Sequence, residues 1–527
     1  MRWDVVGLVL GWTIRLIALP LMVVFAYSAS IGSEGMEYAA KTFLPPAILS
    51  LVLGQSLVSL SKNSDASSRV RDREAFASVA LGWIPVVAVG ALPYWLGGMF
   101  YGPFEMIAGD ASIWEGLRGL LYSWFESMSG FTTTGATVID ISTSPVCSAF
   151  TVADDCIGSQ NNSLILWRSV SQWIGGMGVI MLGLLILSRV LGGGMSLARA
   201  ELTGPSLSRL GPTLQWTASR LWMIYIVLTV LEFGMLHFLG GLGIFDAVNY
   251  SLTTLPSGGF GTTDEGIMAF DSARVEAILI VFMLLTCINF SLLHLMLAGH
   301  SKDAWKDEEL RAYLLILILA WLAMAFNLYR FGTTEGELAP LVALRHALFQ
   351  SISISSTGYS SADFATWPVF SQFVLLLLMI VGASAGSTGG GLKVMRIRIA
   401  FELAKREVVK IIQPRRIVAI RFNQQIIEER KIWIVLGMLS SWMVLVTLSM
   451  LTLSFLEPTL ELTDVLSVSI SLLGNTGPAL GAFGPTATWA ALSEPSMLIA
   501  TMLMWLGRLE LLTVLVLLHP KTWSGTD

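Results

Sequence analysis

Four short segments rich in glycine, serine and threonine have the residue types that suit coordination of a cation by backbone oxygens. They read SGFTTTGATV (129–138), TTLPSGGFGTT (253–263), SISSTGYSSADF (353–364) and SLLGNTGPALG (471–481). A dehydrated cation inside a membrane must regain oxygen ligands, and inward-facing backbone carbonyls supply them. Such a backbone needs unusual dihedral angles, which glycine permits. It is stable at membrane depth only when it is buried in protein or lines a wet cavity.

Each segment has one glycine at the corresponding position. Gly135, Gly259, Gly358 and Gly477 are separated by 124, 99 and 119 residues. A single loop of this composition is most often an ordinary turn, whereas four in a repeat indicate a pore. We therefore predict that an ion is held by four residues of each segment: Thr132, Thr133, Thr134 and Gly135; Pro256, Ser257, Gly258 and Gly259; Ser355, Ser356, Thr357 and Gly358; Gly474, Asn475, Thr476 and Gly477.

The elements that must position these segments are membrane helices. Hydrophobic residues make up 54% of the 527-residue chain and charged residues 13%, about half the charged share of a soluble domain. A span needs roughly 17–25 apolar residues. About ten runs qualify, near 4–30, 38–61, 75–99, 164–190, 217–240, 273–298, 310–330, 369–396, 432–456 and 493–519. The sequence predicts an all-α membrane protein with the lipid bilayer as its surroundings.

Four weakly apolar stretches between the spans are too short to cross and are interpreted as re-entrant pore helices. They lie at 118–138, 244–262, 340–361 and 461–481. The negative end of each helix dipole would face a cation at the centre. The predicted organisation is two leading helices followed by four M1–P–M2 repeats in pseudo-fourfold order around one pore, at 1–63, 75–190, 217–298, 310–396 and 432–519.

Loop charges give the predicted orientation. The stretch 393–431 has eleven lysines and arginines and is assigned to the cytoplasm. The opposite side is acidic, which either concentrates cations at a pore mouth or is an ordinary solvated surface. The basic stretch serves as a simple anchor, or it binds anionic lipid or a regulatory subunit. The small net charge of −5 does not suggest a nucleic-acid partner.

The composition argues against a membrane enzyme. The three cysteines and five histidines have no metal-binding or catalytic spacing, and His294 and His346 have no evident catalytic partner. Cys147 and Cys156 are close enough in sequence for a disulfide if they face an oxidising compartment. Free thiols are the equally weighted alternative.

The predicted span 369–396 is interrupted by glycines. Gly382, Gly386, Gly389, Gly390 and Gly391 lie within ten residues, together with Ser387 and Thr388. Each glycine costs a helix about 1 kcal/mol relative to alanine, so the helix should break near mid-membrane. We interpret the break as a gate beneath the four segments; close helix packing is the alternative.

Arg508 lies near the centre of the last predicted span. A charge there costs at least about 2.5 kcal/mol on insertion scales, so Arg508 is expected to face the cavity below the segments and to repel cations. The alternative is a structural pair with Glu510 or Glu232. Arg168, near the start of its span, is interpreted as an interface residue.

Several motifs carry a family resemblance. SMSGFTTTGAT, GGFGTTD, STGYSSADF and NTGP, with WRSVSQWIGGMGVIML and GASAGSTGGGLKVMR, resemble the Trk/Ktr/HKT superfamily of cation transporters, and most of all its TrkH-type bacterial potassium-uptake subunits. The likeness covers nearly the whole chain. It implies a homodimer with one pore per chain in the bacterial inner membrane, K⁺ as the transported ion and no organic cofactor. It also implies a gating loop at 382–391 with a pore-lining Arg508, and a cytoplasmic ring of TrkA-type nucleotide-binding subunits.

In that superfamily, glycine at all four positions goes with potassium, and serine at the first goes with sodium. Pro256 departs from the serine, threonine or alanine expected there, although proline keeps its carbonyl. Passive permeation would be driven by about 2.3 kcal/mol per charge per 100 mV. The main alternative is a Na⁺- or H⁺-coupled symporter, but such transporters commonly have inverted repeats, whereas these repeats are parallel.

Overall fold

The structure is a computed structural model, and it describes residues 1–61, 72–151, 154–178, 214–334, 336–416, 418–423, 425–509, 513, 517 and 519–523. These residues are mostly helical, as predicted. In chain order the helices are α1 (Trp3–Ala29), α2 (Ser33–Thr42), α3 (Leu44–Leu60), α4 (Asp72–Leu96), α5 (Pro103–Ala108), α6 (Ile113–Phe131), α7 (Asn162–Gly176), α8 (Leu214–Phe238), α9 (Ile244–Thr254), α10 (Ala273–Cys287), α11 (Phe290–Leu297), α12 (Ser301–Ala304), α13 (Glu308–Phe331), α14 (Pro340–Ile354), α15 (Val369–Val381), α16 (Val394–Ile412), α17 (Glu429–Leu456), α18 (Leu462–Gly474), α19 (Glu494–Arg508) and α20 (Pro520–Trp523).

Two strands, β1 (Arg421–Phe422) and β2 (Gln425–Ile426), form a small antiparallel hairpin. Short 3₁₀ turns follow each of the four glycine-rich segments, at Pro145–Cys147, Gly266–Phe270, Phe364–Thr366, Gly481–Phe483 and Trp489–Ala491. Each of the first three segments is therefore followed by one such turn, and the fourth by two.

Six helical spans in the described part of the chain are long and apolar enough to cross a membrane: α1, α2 with α3, α4, α8, α13 and α17. The bent pair α10 and α11 would be a seventh. Shorter helices α7, α15 and α19 occupy the other predicted spans. The predicted continuations of α7 to residue 190 and of α19 to residue 519 fall largely outside the described ranges. The chain is a multi-pass membrane protein.

Four short helices, α6, α9, α14 and α18, each run into one glycine-rich segment. Their starts are fixed by local chemistry. The hydroxyl of Ser112 accepts a hydrogen bond from the N–H of Glu115 in a capping box before α6, and Pro340 occupies the first turn of α14. Because the last turns of all four helices are buried, their ends lie inside the protein.

The span predicted at 273–298 is sharply bent, which the sequence did not indicate. α10 and α11 meet at an angle of 108°. The side-chain oxygen of Asn289 accepts a hydrogen bond from the N–H of Ser291 at 2.8 Å and caps α11. The backbone groups freed at the bend bond to a loop at 382–393, and the local sequence gives no sign of this distant partner.

The helix predicted at 369–396 breaks in the glycine-rich stretch. α15 ends at Val381 and α16 begins at Val394. Gly382 and Lys393, the residues that flank these ends, both have a φ of 69°, which is far from the helical value near −63° and so cannot continue an α-helix. The intervening irregular segment, residues 382–393, is called the loop below.

Most buried apolar side chains belong to one large cluster that extends from Val5 to Leu517 and includes residues of all four short helices. A second, small cluster contains Ala385 in the loop, Met395 and Ile399 on α16, and side chains near α17. Through Ala385, the loop is therefore anchored by apolar packing against α16 and α17.

Candidate cation-binding site

The four predicted glycines lie next to one another in a closed arrangement. A Cβ added to any of them would overlap a backbone carbonyl oxygen of the next segment. Gly135 approaches the carbonyl of Gly258, and Gly259 approaches that of Thr357. Gly358 approaches the carbonyl of Thr476, and Gly477 approaches that of Thr134. The fourth contact returns to the first segment, so the four segments enclose one axis. We call this arrangement the glycine ring.

The backbone of the ring has the conformation that glycine favours. The φ angles of Gly135, Gly259, Gly358 and Gly477 are 83°, 82°, 86° and 101°. A side chain at these positions would meet both an unfavourable φ and a neighbouring carbonyl. The pattern of glycines in the sequence therefore has a direct steric cause.

The N–H groups of the segments turn back to the short helices. Those of Thr134, Gly258 and Gly358 donate to carbonyls five residues earlier at 2.9 Å, and that of Thr476 does so at 3.0 Å. No described donor bonds to the carbonyls of Thr134, Thr357 and Thr476. The exception is Gly258, whose carbonyl accepts a hydrogen bond from Gln172 at 2.7 Å. Three of the four carbonyls that close the ring are thus available to a ligand.

Polar side chains support the ring from behind. Gln172 bonds to Gly258 and also accepts from the N–H of Phe260 at 3.3 Å. The amide of Gln350 and the hydroxyl of Ser353 donate to the carbonyl of Tyr359 at 3.1 and 2.7 Å. These residues were absent from the predicted site, although all lie within or beside the quoted motifs.

A buried ion pair joins the outer ends of the first two segments. Arg168 donates to Glu126 at 2.8 Å, and their side chains are 1% and 0% exposed. Glu126 also accepts from the hydroxyl of Thr137 and the N–H of Val138. Arg168 donates to the carbonyl of Gly261 at 3.1 Å. The sequence suggested only that Arg168 marks the membrane interface, whereas the structure gives its guanidinium a buried partner on α6.

The ring lies between two cavities. The outer cavity, of about 90 Å³, is lined by the four ring glycines and by Asp264, Glu265 and Tyr359. Asp264 accepts from the N–H groups of Cys156 and Ile157 at 2.7 and 2.8 Å. Burial raises the pKa of Asp264, although these two hydrogen bonds oppose the shift.

A disulfide joins Cys156 to Cys147. Of the two alternatives that the sequence left open, a disulfide or free thiols, the structure has the disulfide. Through the hydrogen bonds of Cys156 and Ile157, the disulfide-linked loop is held against Asp264 at the outer cavity.

The inner cavity, of about 110 Å³, is lined by the loop, Asn475, Lys393, Arg396 and Arg508. The loop closes against the underside of the ring. The hydroxyl of Thr388 donates to the carbonyl of Leu255 at 3.1 Å, and the N–H of Gly391 donates to the carbonyl of Gly474 at 3.1 Å. In this conformation the loop donates hydrogen bonds to carbonyls at the bases of the second and fourth segments.

The loop also fills the bend between α10 and α11. The N–H of Ser384 donates to the carbonyl of Cys287 at 3.1 Å, and the N–H of Phe290 donates to the carbonyl of Gly386 at 3.0 Å. The carboxylate of Glu309 accepts from the N–H of Ala385 at 2.7 Å. These bonds satisfy backbone groups that would otherwise be buried without partners.

Arg508 also contacts the loop beneath the ring. It donates to the carbonyl of Thr388 at 3.2 Å and to those of Gly175 and Gly176 at 2.7 and 2.9 Å. It makes no hydrogen bond to Glu232, whose carboxyl oxygens accept none from any described residue. The proposed pair with Glu232 was therefore wrong, and Glu510 lies outside the described residues.

Comparison with known proteins identifies the family. A family model for TrkH, described as a cation transport protein, matches residues 48–524. The chain belongs to the TrkH family.

Curated relatives in this family have similar length. The Trk system potassium uptake protein TrkH of Escherichia coli (strain K12) is 32% identical over 500 residues, which cover 92% of each chain. The protein TrkG of the same organism is 28% identical and covers 98% of this chain and 97% of its own. The crystal structure of the potassium transporter TrkH from Vibrio parahaemolyticus covers 99% of this chain and 100% of its own, with a TM-score of 0.81 and 28% identity.

Not every predicted residue of this TrkH-family chain lines a cavity. From the predicted ion site, the ring glycines line the outer cavity and Asn475 lines the inner one. Of the predicted gate, Gly386, Ser387, Thr388, Gly389, Gly391 and Arg508 line the inner cavity. The remaining predicted residues line neither cavity: Thr132, Thr133, Thr134, Pro256, Ser257, Gly258, Ser355, Ser356, Thr357, Gly474, Thr476, Gly382 and Gly390.

Proposed function

We propose that this TrkH-family chain takes up potassium ions through a selectivity filter made of backbone carbonyls. The observation that carries the proposal is the closed glycine ring, in which each segment's carbonyl abuts the next segment's glycine. Carbonyl rings replace the hydration shell of a cation in a membrane. The relatives named as potassium uptake proteins support potassium as the ion.

The proposed filter consists of four residues of each segment, 132–135, 256–259, 355–358 and 474–477. Three ring carbonyls accept no hydrogen bond from the described residues, which leaves them for an ion. The ring also has a glycine in the first segment, the position where serine would favour sodium. The four filter segments then define four repeats after the two leading helices, as the sequence predicts.

The proposed gate is the loop together with Arg508. The loop bonds to the base of the filter, and Arg508 bonds to the loop. The guanidinium would repel a cation in the inner cavity, so permeation requires the loop and Arg508 to move away. By family resemblance, a cytoplasmic ring of nucleotide-binding subunits would drive this motion in a homodimer of the chain.

The experiment measures current or ion flux through the purified chain in liposomes that have a potassium gradient and no sodium or pH gradient. We expect flux down the potassium gradient with a reversal potential set by potassium alone. A requirement for a sodium or proton gradient would contradict passive permeation and favour a coupled symporter. A chain with Gly437→Ala, remote from the ring, is the control for reconstitution.

A further inference from the structure

A buried carboxyl group lies outside the ion path. Glu232 is on α8, within the apolar span Ala218–Phe238, and is 0% exposed. Neither of its carboxyl oxygens has a hydrogen-bond partner among the residues that the structure describes. A charged side chain at this depth normally has a partner or faces water, so the unpaired state of Glu232 requires an explanation.

The groups that face Glu232 are neutral. They are the hydroxyl of Thr254 at the end of α9, the phenol of Tyr225 on α8 and the phenol of Tyr359 after the third segment. The described residues place no lysine, arginine or histidine against the carboxyl group. Arg508, which lies near Tyr225, donates hydrogen bonds to three backbone carbonyls.

The neighbouring hydroxyl protons already have acceptors, which for Tyr359 is the carbonyl of Tyr250 at 3.4 Å. Thr254 donates to the carbonyl of Tyr250 at 2.8 Å, and Tyr225 donates to the carbonyl of Trp173 at 2.9 Å. An ionised carboxylate would therefore be both buried and unsolvated, which is far more costly than a neutral acid. The site as built accommodates a carboxylic acid and not a carboxylate.

We propose that Glu232 is a proton-binding site in the membrane interior, placed directly behind the second segment of the ring. In the conformation described, the carboxyl carries its proton. Because Glu232 is fully buried, its proton leaves to water only when the packing around α8 opens; the carboxylate then takes a hydrogen bond from Thr254, whose hydroxyl turns away from the carbonyl of Tyr250. Because Thr254 is the last residue of α9, loss of the proton disturbs the start of the second segment.

Proton occupancy is thereby linked to the shape of the ring. This inference goes beyond the uptake function, because it concerns a ligand other than the transported ion. It makes a carboxyl group that does not touch the ion a regulator of the ion path.

The direct test is infrared difference spectroscopy of the full-length chain in liposomes, recorded as the pH is raised. We expect one protonated-carboxyl band to disappear, and we expect Glu232→Gln to lack that band throughout. Glu276→Gln is the matched control, since buried Glu276 already pairs with Arg345 at 2.8 Å and should leave the band in place. Glu232→Asp keeps a titrating carboxyl and should shift the band without removing it.

The functional test is rubidium flux as a function of pH in the same liposomes. We expect wild-type flux to change by about tenfold across the titration, equivalent to about 1.4 kcal/mol, and Glu232→Gln flux to be independent of pH. An identical pH profile in Glu232→Gln, a band that survives this substitution, or a wild-type band that never titrates would each overturn the proposal. Absence of any rubidium flux, with the titrating band present, would instead count against the uptake function alone.

Discussion

Substitution of Gly135 by serine tests the role of the glycine ring. Gly135 has a φ of 83°, and a side chain there would overlap the carbonyl of Gly258 on the second segment. The left-handed conformation costs a non-glycine residue roughly 1–2 kcal/mol, and forced overpacking costs typically 1–3 kcal/mol. The ring must therefore absorb about 2–5 kcal/mol, by displacing the Gly258 carbonyl or by changing its own backbone.

A tenfold change in an equilibrium corresponds to about 1.4 kcal/mol. If the lower value, about 2 kcal/mol, displaces the carbonyls that hold the ion, the preference for potassium over sodium should fall at least about tenfold. The assay is the potassium-to-sodium permeability ratio, obtained from reversal potentials of the reconstituted chain.

The matched control is Gly437→Ala on α17, where an added Cβ meets no atom within 4 Å. That substitution should leave the permeability ratio unchanged and stabilise the helix by up to about 1 kcal/mol. A correctly assembled Gly135→Ser chain with the wild-type permeability ratio would refute the steric reasoning.

Three further substitutions test the other contacts. Arg508→Ala removes a cation and three hydrogen bonds from the inner cavity, so potassium flux should rise; a fall in flux at equal protein amount would contradict its role as a barrier. Thr388→Val removes the donor to the base of the second segment, worth about 0.5–1.5 kcal/mol, and should raise the open probability in single-channel records by severalfold, with Thr452→Val at the exposed face of α17 as the control. Arg168→Gln leaves Glu126 buried without its ionic partner, which costs about 3–5 kcal/mol; thermal unfolding should shift strongly downward, and an unchanged midpoint would show that the pair is not needed.

The sequence predicts the parts of this molecule that have local causes. The four glycines were identifiable because only glycine suits their left-handed backbone, and the cluster from Gly382 to Gly391 marked the end of a helix by its poor helix propensity. The short helices were identifiable by length. Each of these features depends on a few adjacent residues.

Features that depend on distant partners were missed. The bend after α10 exists because the loop supplies hydrogen bonds to Cys287 and Phe290, and nothing near Asn289 indicates that loop. The ion pair of Arg168 was missed because its partner Glu126 lies 42 residues away. Sequence spacing gives helices and segments, whereas their mutual contacts require the fold.

The most direct test of the central claim is an experimental structure of this chain with thallium or rubidium in place of potassium, with the ions located by anomalous scattering. We predict peaks on the axis of the glycine ring, each surrounded by carbonyl oxygens from all four segments. Anomalous peaks only at other sites, or an empty ring in a chain that conducts the same ion, would contradict the account.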